Sequence, residues 1–600
     1  MLQPGNHDMF TTRPEIAGTF GVVATTHWIA SQVGMAVLER GGNAFDAAAA
    51  AGFTLQVAEP HLNGPGGDAP IVIHDARAGT QHVICGQGVA PDAATPAMFE
   101  KLGLDLVPGT GLLPAVVPGA FDAWATMLRD WGTMEMADVL AYAIGYARSG
   151  IHLVARVPAT IESMKPMFEQ EWKSSAAVFL PSGRVPETGK LFARPALAET
   201  WDRLCGEAVG RTREARIDAA RNAWYRGFVA EAIGRFYANE DILDSSGRRH
   251  RGLLTADDMA RWAATVEDPV SLDYHGHTVL KPGPWSQGPA FLQQLALLQG
   301  FDLARMDPLG ADFAHVVIES AKLAFADREA YYGDPDHSEI PLGALLSSEY
   351  NAERTKLITG SASMELRPGI IAGFAADVDH HAQDRAVLLT RATGIGEPTV
   401  ARLGAMGGDT VHVDVIDRWG NMVSATPSGG WLQSSPVIPE LGFPLSTRGQ
   451  MFWTKAGHPN SVGPRKRPRT TLSPSMALRD GRAWMSFGTP GGEQQDQWSP
   501  IMFLRMVHHG MGIQQAIDAP SFHTEHWPSS FWPRVARPGK VVLEGRYDST
   551  VLAELKRRGH MAEMGGEWTE GRLSAARQEP DGQMFAGANP RGMQGYAVGR

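Results

Sequence analysis

Residues 360–409 are rich in Gly, Ala and Asp, weakly periodic, and end in Ala405-Met406-Gly407-Gly408-Asp409. Such a stretch reads as a flexible surface segment. Thr410-Val411-His412-Val413-Asp414-Val415-Ile416-Asp417 follows at once, and its β-branched residues predict a buried strand. The turn Arg418-Trp419-Gly420-Asn421 and a second strand over Met422–Thr426 complete a hairpin. A flexible stretch running directly into a core strand is unusual, and it puts a threonine at the strand's head. Cutting before Thr410 would free an α-amine beside its own hydroxyl. An α-amine with a pKa of about 7.7–8.0 can take the hydroxyl proton near neutral pH, so one residue would supply both nucleophile and base.

Elsewhere strands and helices alternate. Residues 22–58 predict a short strand, a helix around His27–Arg40 with apolar Ile29, Val33, Ala36 and Val37, the break Gly41-Gly42-Asn43, and an alanine-rich helix to Val57. Asn63-Gly64-Pro65-Gly66-Gly67-Asp68 is a tight turn feeding an apolar strand over Pro70–His74. From Gly119 to Arg261 the pattern is mostly helical, with a charged stretch at 211–226 that reads as a solvated helix. Leu272–Leu280 predicts one strand, with helices near Pro289–Leu298 and His315–Glu329 after it. The last third adds strands near Met476–Leu478 and Ala483–Phe487 and a helix near Ser499–His508. The class is layered α/β, without a repeat at solenoid periods.

Charge and composition exclude several functions. With 65 acidic and 54 basic residues the net charge is -11, so no global field favours nucleic acid. No run of about 18 apolar residues could span a membrane, and the N-terminus lacks the basic-then-apolar pattern of a signal peptide. Only Cys85 and Cys205 occur, too few for a disulfide framework. Together these predict a soluble cytoplasmic protein. Among 20 histidines there is no H-E-x-x-H, no Cys pair at zinc spacing, and no glycine-rich loop ending in Gly-Lys-Ser/Thr, so neither a metal nor a nucleotide cofactor is expected.

Two further stretches draw attention. Arg465-Lys466-Arg467-Pro468-Arg469 is a dense basic cluster, a pattern usual for solvated faces or ligand loops. It stands directly before Thr470-Thr471, where hydroxyls beside fixed positive charge would suit a carbonyl or carboxylate. Gly488-Thr489-Pro490-Gly491-Gly492 lies between a strand and a polar loop, where two glycines let backbone N–H groups point at an oxyanion.

In chain order, these motifs run Gly41-Gly42-Asn43-Ala44-x-Asp46-Ala47, Gly64-Pro65-Gly66-Gly67, Ala90-Pro91, Val117-Pro118-Gly119, Gly132-Thr133, and the helix Glu319–Arg328 with Gly333-Asp334-Pro335. Thr410-x-His412, Asp417-x-x-Gly420-Asn421-x-Val423-Ser424, Lys466-Arg467-Pro468 and Gly488-x-Pro490-Gly491-Gly492 continue the series. Over nearly its whole length the chain thereby resembles the γ-glutamyltranspeptidases, members of the N-terminal nucleophile hydrolases. The resemblance implies a four-layer αββα sandwich and a proenzyme cut between Asp409 and Thr410. A large subunit 1–409 and a small subunit 410–600 would then form one heterodimer. Thr410 would be the nucleophile of both maturation and turnover, with Ser428 positioning it, Gly491 and Gly492 forming the oxyanion hole, and Thr470 and Thr471 in the acyl pocket. The substrate would be a small amide, and the acyl group would pass to water or an amine without a cofactor.

The recognition positions depart from that pattern. Gln87 stands where the family's carboxylate-binding arginine is expected, Gly430 replaces an asparagine, and Phe452 and Trp453 fall on the acidic pair that holds an α-ammonium. Gln87, Gly430, Gln450, Phe452 and Trp453 are therefore the candidate substrate contacts, and a different acyl group is expected, in line with the oxamate amidohydrolases and cephalosporin acylases of the wider family. Two alternatives stand beside this reading. One is a true γ-glutamyltransferase or glutathione hydrolase whose clamp is rebuilt with Arg448 or Arg467. The other is an uncleaved, catalytically silent binding or scaffold protein.

Overall fold

The computed structural model describes residues 10–379, 382, 384, 385 and 410–600. The strand expected after Thr410 runs over Val413–Asp417, between Gly21–Thr25 on one side and Met422–Ala425 on the other. It is the third strand of a seven-stranded antiparallel sheet ordered Tyr596–Gly599, Gly21–Thr25, Val413–Asp417, Met422–Ala425, Ala69–Asp75, Thr80–Gly86, Thr265–Glu267. A second seven-stranded antiparallel sheet is ordered Ile16–Gly18, Met584–Ala588, Ser574–Gln578, Arg482–Gly488, Ser475–Arg479, His277–Lys281, Val270–Tyr274. Both sheets interleave strands from either side of Thr410, so the two stretches share one core.

The period-2 alternation of the strands assigns the layers. Val413 and Val415 join Val23, Ile71 and Ile73 under an outer helical layer, whereas Ile416, Val22, Ala24, Val72 and Met422 face Leu280, Met476, Ala576 and Ala586 of the other sheet. The first helical layer includes Trp28–Glu39 and Ala44–Ala58, the second of these buried along its whole length. Asn43, read in the sequence only as part of a break, caps that helix in a reciprocal box with Asp46. Its alanines and Gly52 allow close packing: a Cβ on Gly52 would stand 2.5 Å from the Trp124 ring. Gly288–Leu298 and Gln495–His509 share the core of the opposite layer with Phe487 and Met485 of the second sheet. The result is the four-layer αββα sandwich.

Two expectations are corrected. Leu272–Leu280 is not one strand but the hairpin Val270–Tyr274 and His277–Lys281, turned at His275 and Gly276, both with positive φ (45° and 77°). In the described part of the 360–409 segment most residues are exposed or half-buried, while Gly369 donates to Asp327 at 2.7 Å and accepts from Tyr331 at 2.6 Å, and Ile371 and Val378 are buried. Asp409 and the rest of that segment to 409 lie outside the described residues, apart from 382, 384 and 385. Finally, the basic cluster is not a solvated face. Arg467 is buried and ion-paired with Asp334, Asp336 and Glu267, and Arg469 with Glu329.

Candidate active site

The two sheets place many strand ends together. His412 lies between them, its Nε2 3.1 Å from Asp414, while Asp414 accepts from Ser574 Oγ at 2.8 Å. A Cβ on Gly488 would fall 2.3 Å from the His412 ring, so only Gly fits where the second sheet meets this side chain. The head of the Val413 strand and the tail of Arg482–Gly488 therefore meet at one end of the sandwich. Register carries the same end to Ser428 beyond Met422–Ala425, Gly67-Asp68 before Ala69, Gln87 after Gly86, and Thr470-Thr471 before Ser475.

Thr410 stands short of the strand proper, held by a bridge to Ser428 and 1% exposed. Its Oγ1 donates to Ser428 Oγ at 3.2 Å. Ser428 in turn pairs with Asp68, exchanging backbone bonds of 2.7 and 2.9 Å. Asp68 was not singled out by its sequence context, yet it joins this end of the molecule: it accepts from Ser446 Oγ at 2.9 Å, Arg448 Nε at 3.1 Å and Gln87 Nε2 at 3.4 Å. Burial raises its pKa, against the opposing pull of Arg448.

The Gly488–Gly492 turn ends in two residues with positive φ, 125° at Gly491 and 53° at Gly492. Gly491 packs on Trp498, where a Cβ would come within 2.7 Å of the ring. Gly492 is fixed from behind, because its carbonyl accepts from Gln287 Nε2 at 3.2 Å and Gln287 Oε1 accepts from buried Arg328 at 3.0 Å. Burial lowers the Arg328 pKa to about 10. Gln287 lies in no marked motif, and Arg328 ends the marked helix Glu319–Arg328 without having been singled out for this contact. Of the hydroxyl pair, Thr470 accepts from the Leu472 N–H at 3.3 Å, and Thr471 Oγ1 is buried without a partner among the described residues. Lys281, Asp496 and Ser473 lock the following loop, with Lys281 Nζ 2.8 Å from Asp496 and Ser473 Oγ 2.9 Å from it.

The other expected contacts are placed differently. Gln450 commits its amide to structure, donating to Gly109 and Thr447 and accepting from the Trp532 N–H at 3.1 Å. Gly430 has φ 63°, and a Cβ there would lie 2.9 Å from Gly67 N, which leaves no room for the family's asparagine. Phe452 packs with Ala90, Phe99, Val107 and Leu113, and Trp453 stacks on His458 with centroids 3.9 Å apart. In the structure these four residues make packing and bracing contacts. Gln87 alone of the five lies in the Asp68 network. Arg467, one alternative anchor, is spent on three carboxylates, whereas Arg448 retains a buried Nη2 without a partner among the described residues.

One group of metal-ligand type occurs among the described residues: His315, Glu319 and His560 bring ligand atoms within 4.8 Å of one another. Lys322 at 2.6 Å and Arg367 at 3.2 Å already neutralise Glu319, and His315 bonds His560 at 2.8 Å. Cys85 and Cys205 are free thiols, and burial pushes the Cys85 thiol up to about 12. No helix among the described residues is long and apolar enough to cross a membrane.

Trp498, behind Gly491, also meets His523 edge-on at 6.2 Å. Burial alone would lower the His523 pKa, but Glu570 at 2.5 Å and Glu525 at 3.4 Å raise it to about 10. A raised histidine pKa contributes stability fully present below about pH 6.5 and lost as pH climbs to 10. Denaturant titrations should show stability falling across that window, with a flatter profile in His523→Gln. Parallel profiles for the two chains would remove His523 as the source.

A strand-head threonine bonded to a second hydroxyl, on an αββα sandwich beside a glycine-pair turn, defines the N-terminal nucleophile hydrolase class. The family described as Gamma-glutamyltranspeptidase matches residues 30–599, and the chain belongs to it. The Glutathione hydrolase-like YwrD proenzyme of Bacillus subtilis (strain 168) is 30% identical over 97% of this chain and 99% of its own. Among solved structures, LmbA2991HD superposes with a TM-score of 0.92 at 54% identity, over 99% of this chain and all of its own. Cephalosporin acylase from Bacillus halodurans gives 0.82 at 27% identity, over 100% and 99%. The protein is thus an enzyme of the amidohydrolase and acyltransferase type, related to proenzymes.

Proposed function

We propose that the chain cuts itself between Asp409 and Thr410 and that the freed Thr410 then hydrolyses or transfers the acyl group of a small amide other than a standard γ-glutamyl compound. The observation that carries this reading is the Thr410 hydroxyl, bonded at 3.2 Å to Ser428 at the strand head, two residues before the His412 that packs against Gly488. In maturation Thr410 Oγ attacks the Asp409 carbonyl carbon, the peptide C–N bond breaks, and water opens the resulting ester. In turnover the α-amine takes the hydroxyl proton while Oγ attacks the substrate carbonyl. The amine leaves with a proton, and water or an amine accepts the acyl group. Gly491 and Gly492 supply N–H groups to the oxyanion.

The altered acyl group is supported by the neutral Gln87 and by Phe452 and Trp453, which leave both ends of an amino-acid clamp without their charges. A hydrogen bond to a charged group contributes about 1.5–3 kcal/mol, so two lost contacts weaken γ-glutamyl recognition by about two to four orders of magnitude. Assays with γ-glutamyl-p-nitroanilide and glutathione should accordingly give kcat/KM lower by that factor than for a γ-glutamyltranspeptidase measured alongside. Comparable turnover would overturn the reading in favour of a rebuilt clamp.

A further inference from the structure

Arg448 is buried at the start of the short turn Arg448–Met451, with its guanidinium over the Trp431 ring at 5.4 Å. Nε is committed to Asp68, yet Nη2 is enclosed and without a partner among the described residues. A buried guanidinium N–H left unmet is costly, and an anionic oxygen is the group that satisfies it best. Arg328 Nε and Nη2 and Arg469 Nε also lack hydrogen-bond partners among the described residues, but each of the neighbouring buried arginines has a carboxylate near its Nη atoms. Arg467 and Arg469 are paired with carboxylates, Arg534 with Glu329 at 2.7 Å, and Arg328 Nη2 lies between Glu329 and Glu493 at 3.6 and 3.8 Å.

Location gives the open N–H its meaning. Arg448 hangs from Asp68, Asp68 exchanges backbone bonds with Ser428, and Ser428 takes the Thr410 hydroxyl. A positive group tethered to the residue directly across from Ser428 reaches an anion only a few bonds from the carbonyl that Thr410 would attack. The flanking Gln87, which donates to the other Asp68 oxygen, brings no second charge. We infer that Arg448 is the acyl-group anchor and that the enzyme takes amides of short acyl groups ending in a carboxylate, one or two carbons from the reacting carbonyl. This rests on the reading of Thr410 as nucleophile, and it changes the substrate class from an amino acid held at both ends to a short anionic acyl group.

Binding can be measured without turnover, which separates this inference from that reading. Calorimetric titration of the purified protein with oxamate, malonamate, glutaramate and acetamide should show the two short anions binding at least tenfold tighter than the longer anion or the neutral amide. Arg448→Gln should erase that preference. Arg448→Lys keeps a cation beside Asp68 but loses the fork, and should weaken the short anions by about tenfold. If Arg448→Gln does not fold, the lysine variant alone decides. Equal binding of oxamate and acetamide, or unchanged oxamate affinity in the lysine variant, overturns the assignment. Failure of the unsubstituted chain to cleave would count against the Thr410 reading instead.

Discussion

Thr410→Ala should run as a single 64.7 kDa band on a denaturing gel, whereas the unsubstituted chain resolves into residues 1–409 and 410–600. The substitution removes one hydroxyl and one methyl from a buried side chain outside the strand ladder, so the sandwich has no reason to fail. What it removes is the oxygen that would attack the preceding carbonyl and, in the cut form, the substrate. Amide turnover should fall below detection. Thr410→Ser keeps the oxygen and should cleave more slowly at the same bond. A Thr410→Ala chain still cut there would exclude the internal hydroxyl, and an unsubstituted chain that never cuts would favour the silent-homologue alternative.

The native mass should nevertheless stay whole after the cut. Val413–Asp417 lies between Gly21–Thr25 and Met422–Ala425, and Ser475–Arg479 pairs with His277–Lys281. Separating the halves would strip two central strands and an edge strand from one sheet and divide the other. Gel filtration under native conditions should therefore give one species from two chains.

Much of this was legible in the residues, and the physical reason is local. The β-branched run at Val413–Asp417 and the glycine-flanked turns each carry their signal within a few positions. What escaped depends on contacts distant in sequence. Asp68 reads as the end of a glycine turn, yet it joins Gln87, Ser428, Ser446 and Arg448. Gln287 precedes the helix Gly288–Leu298 and Arg328 stands on Ala311–Tyr331, and they meet only because the fold brings both behind Gly492. Four basic residues in close succession suggested solvent, whereas the acidic partners of Arg467 lie about 130 to 200 residues away. Motif positions likewise said which residues Phe452 and Trp453 replaced, but not that their rings would turn to packing.

Gly491→Ala tests the turn that would stabilise the oxyanion. At φ 125° the position lies in a region that an L side chain rarely adopts, and the added Cβ would meet the Trp498 ring at 2.7 Å. Trp498 is itself buried beside Ile501 and Met502, so it has little freedom to withdraw, and the strain should move the backbone instead. Moving the N–H groups off the developing oxyanion removes stabilisation that exists only in the transition state. Loss of one such donor typically costs about 10²–10³ in kcat. The expected result is a fall of that size in kcat with KM changed by less than about threefold, because the ground-state carbonyl depends little on these donors. Pairing Gly491→Ala with Trp498→Leu relieves the collision but not the backbone strain, so it should recover only part of the rate. A single variant within threefold of the unsubstituted kcat would show that Gly491 lies outside the oxyanion hole.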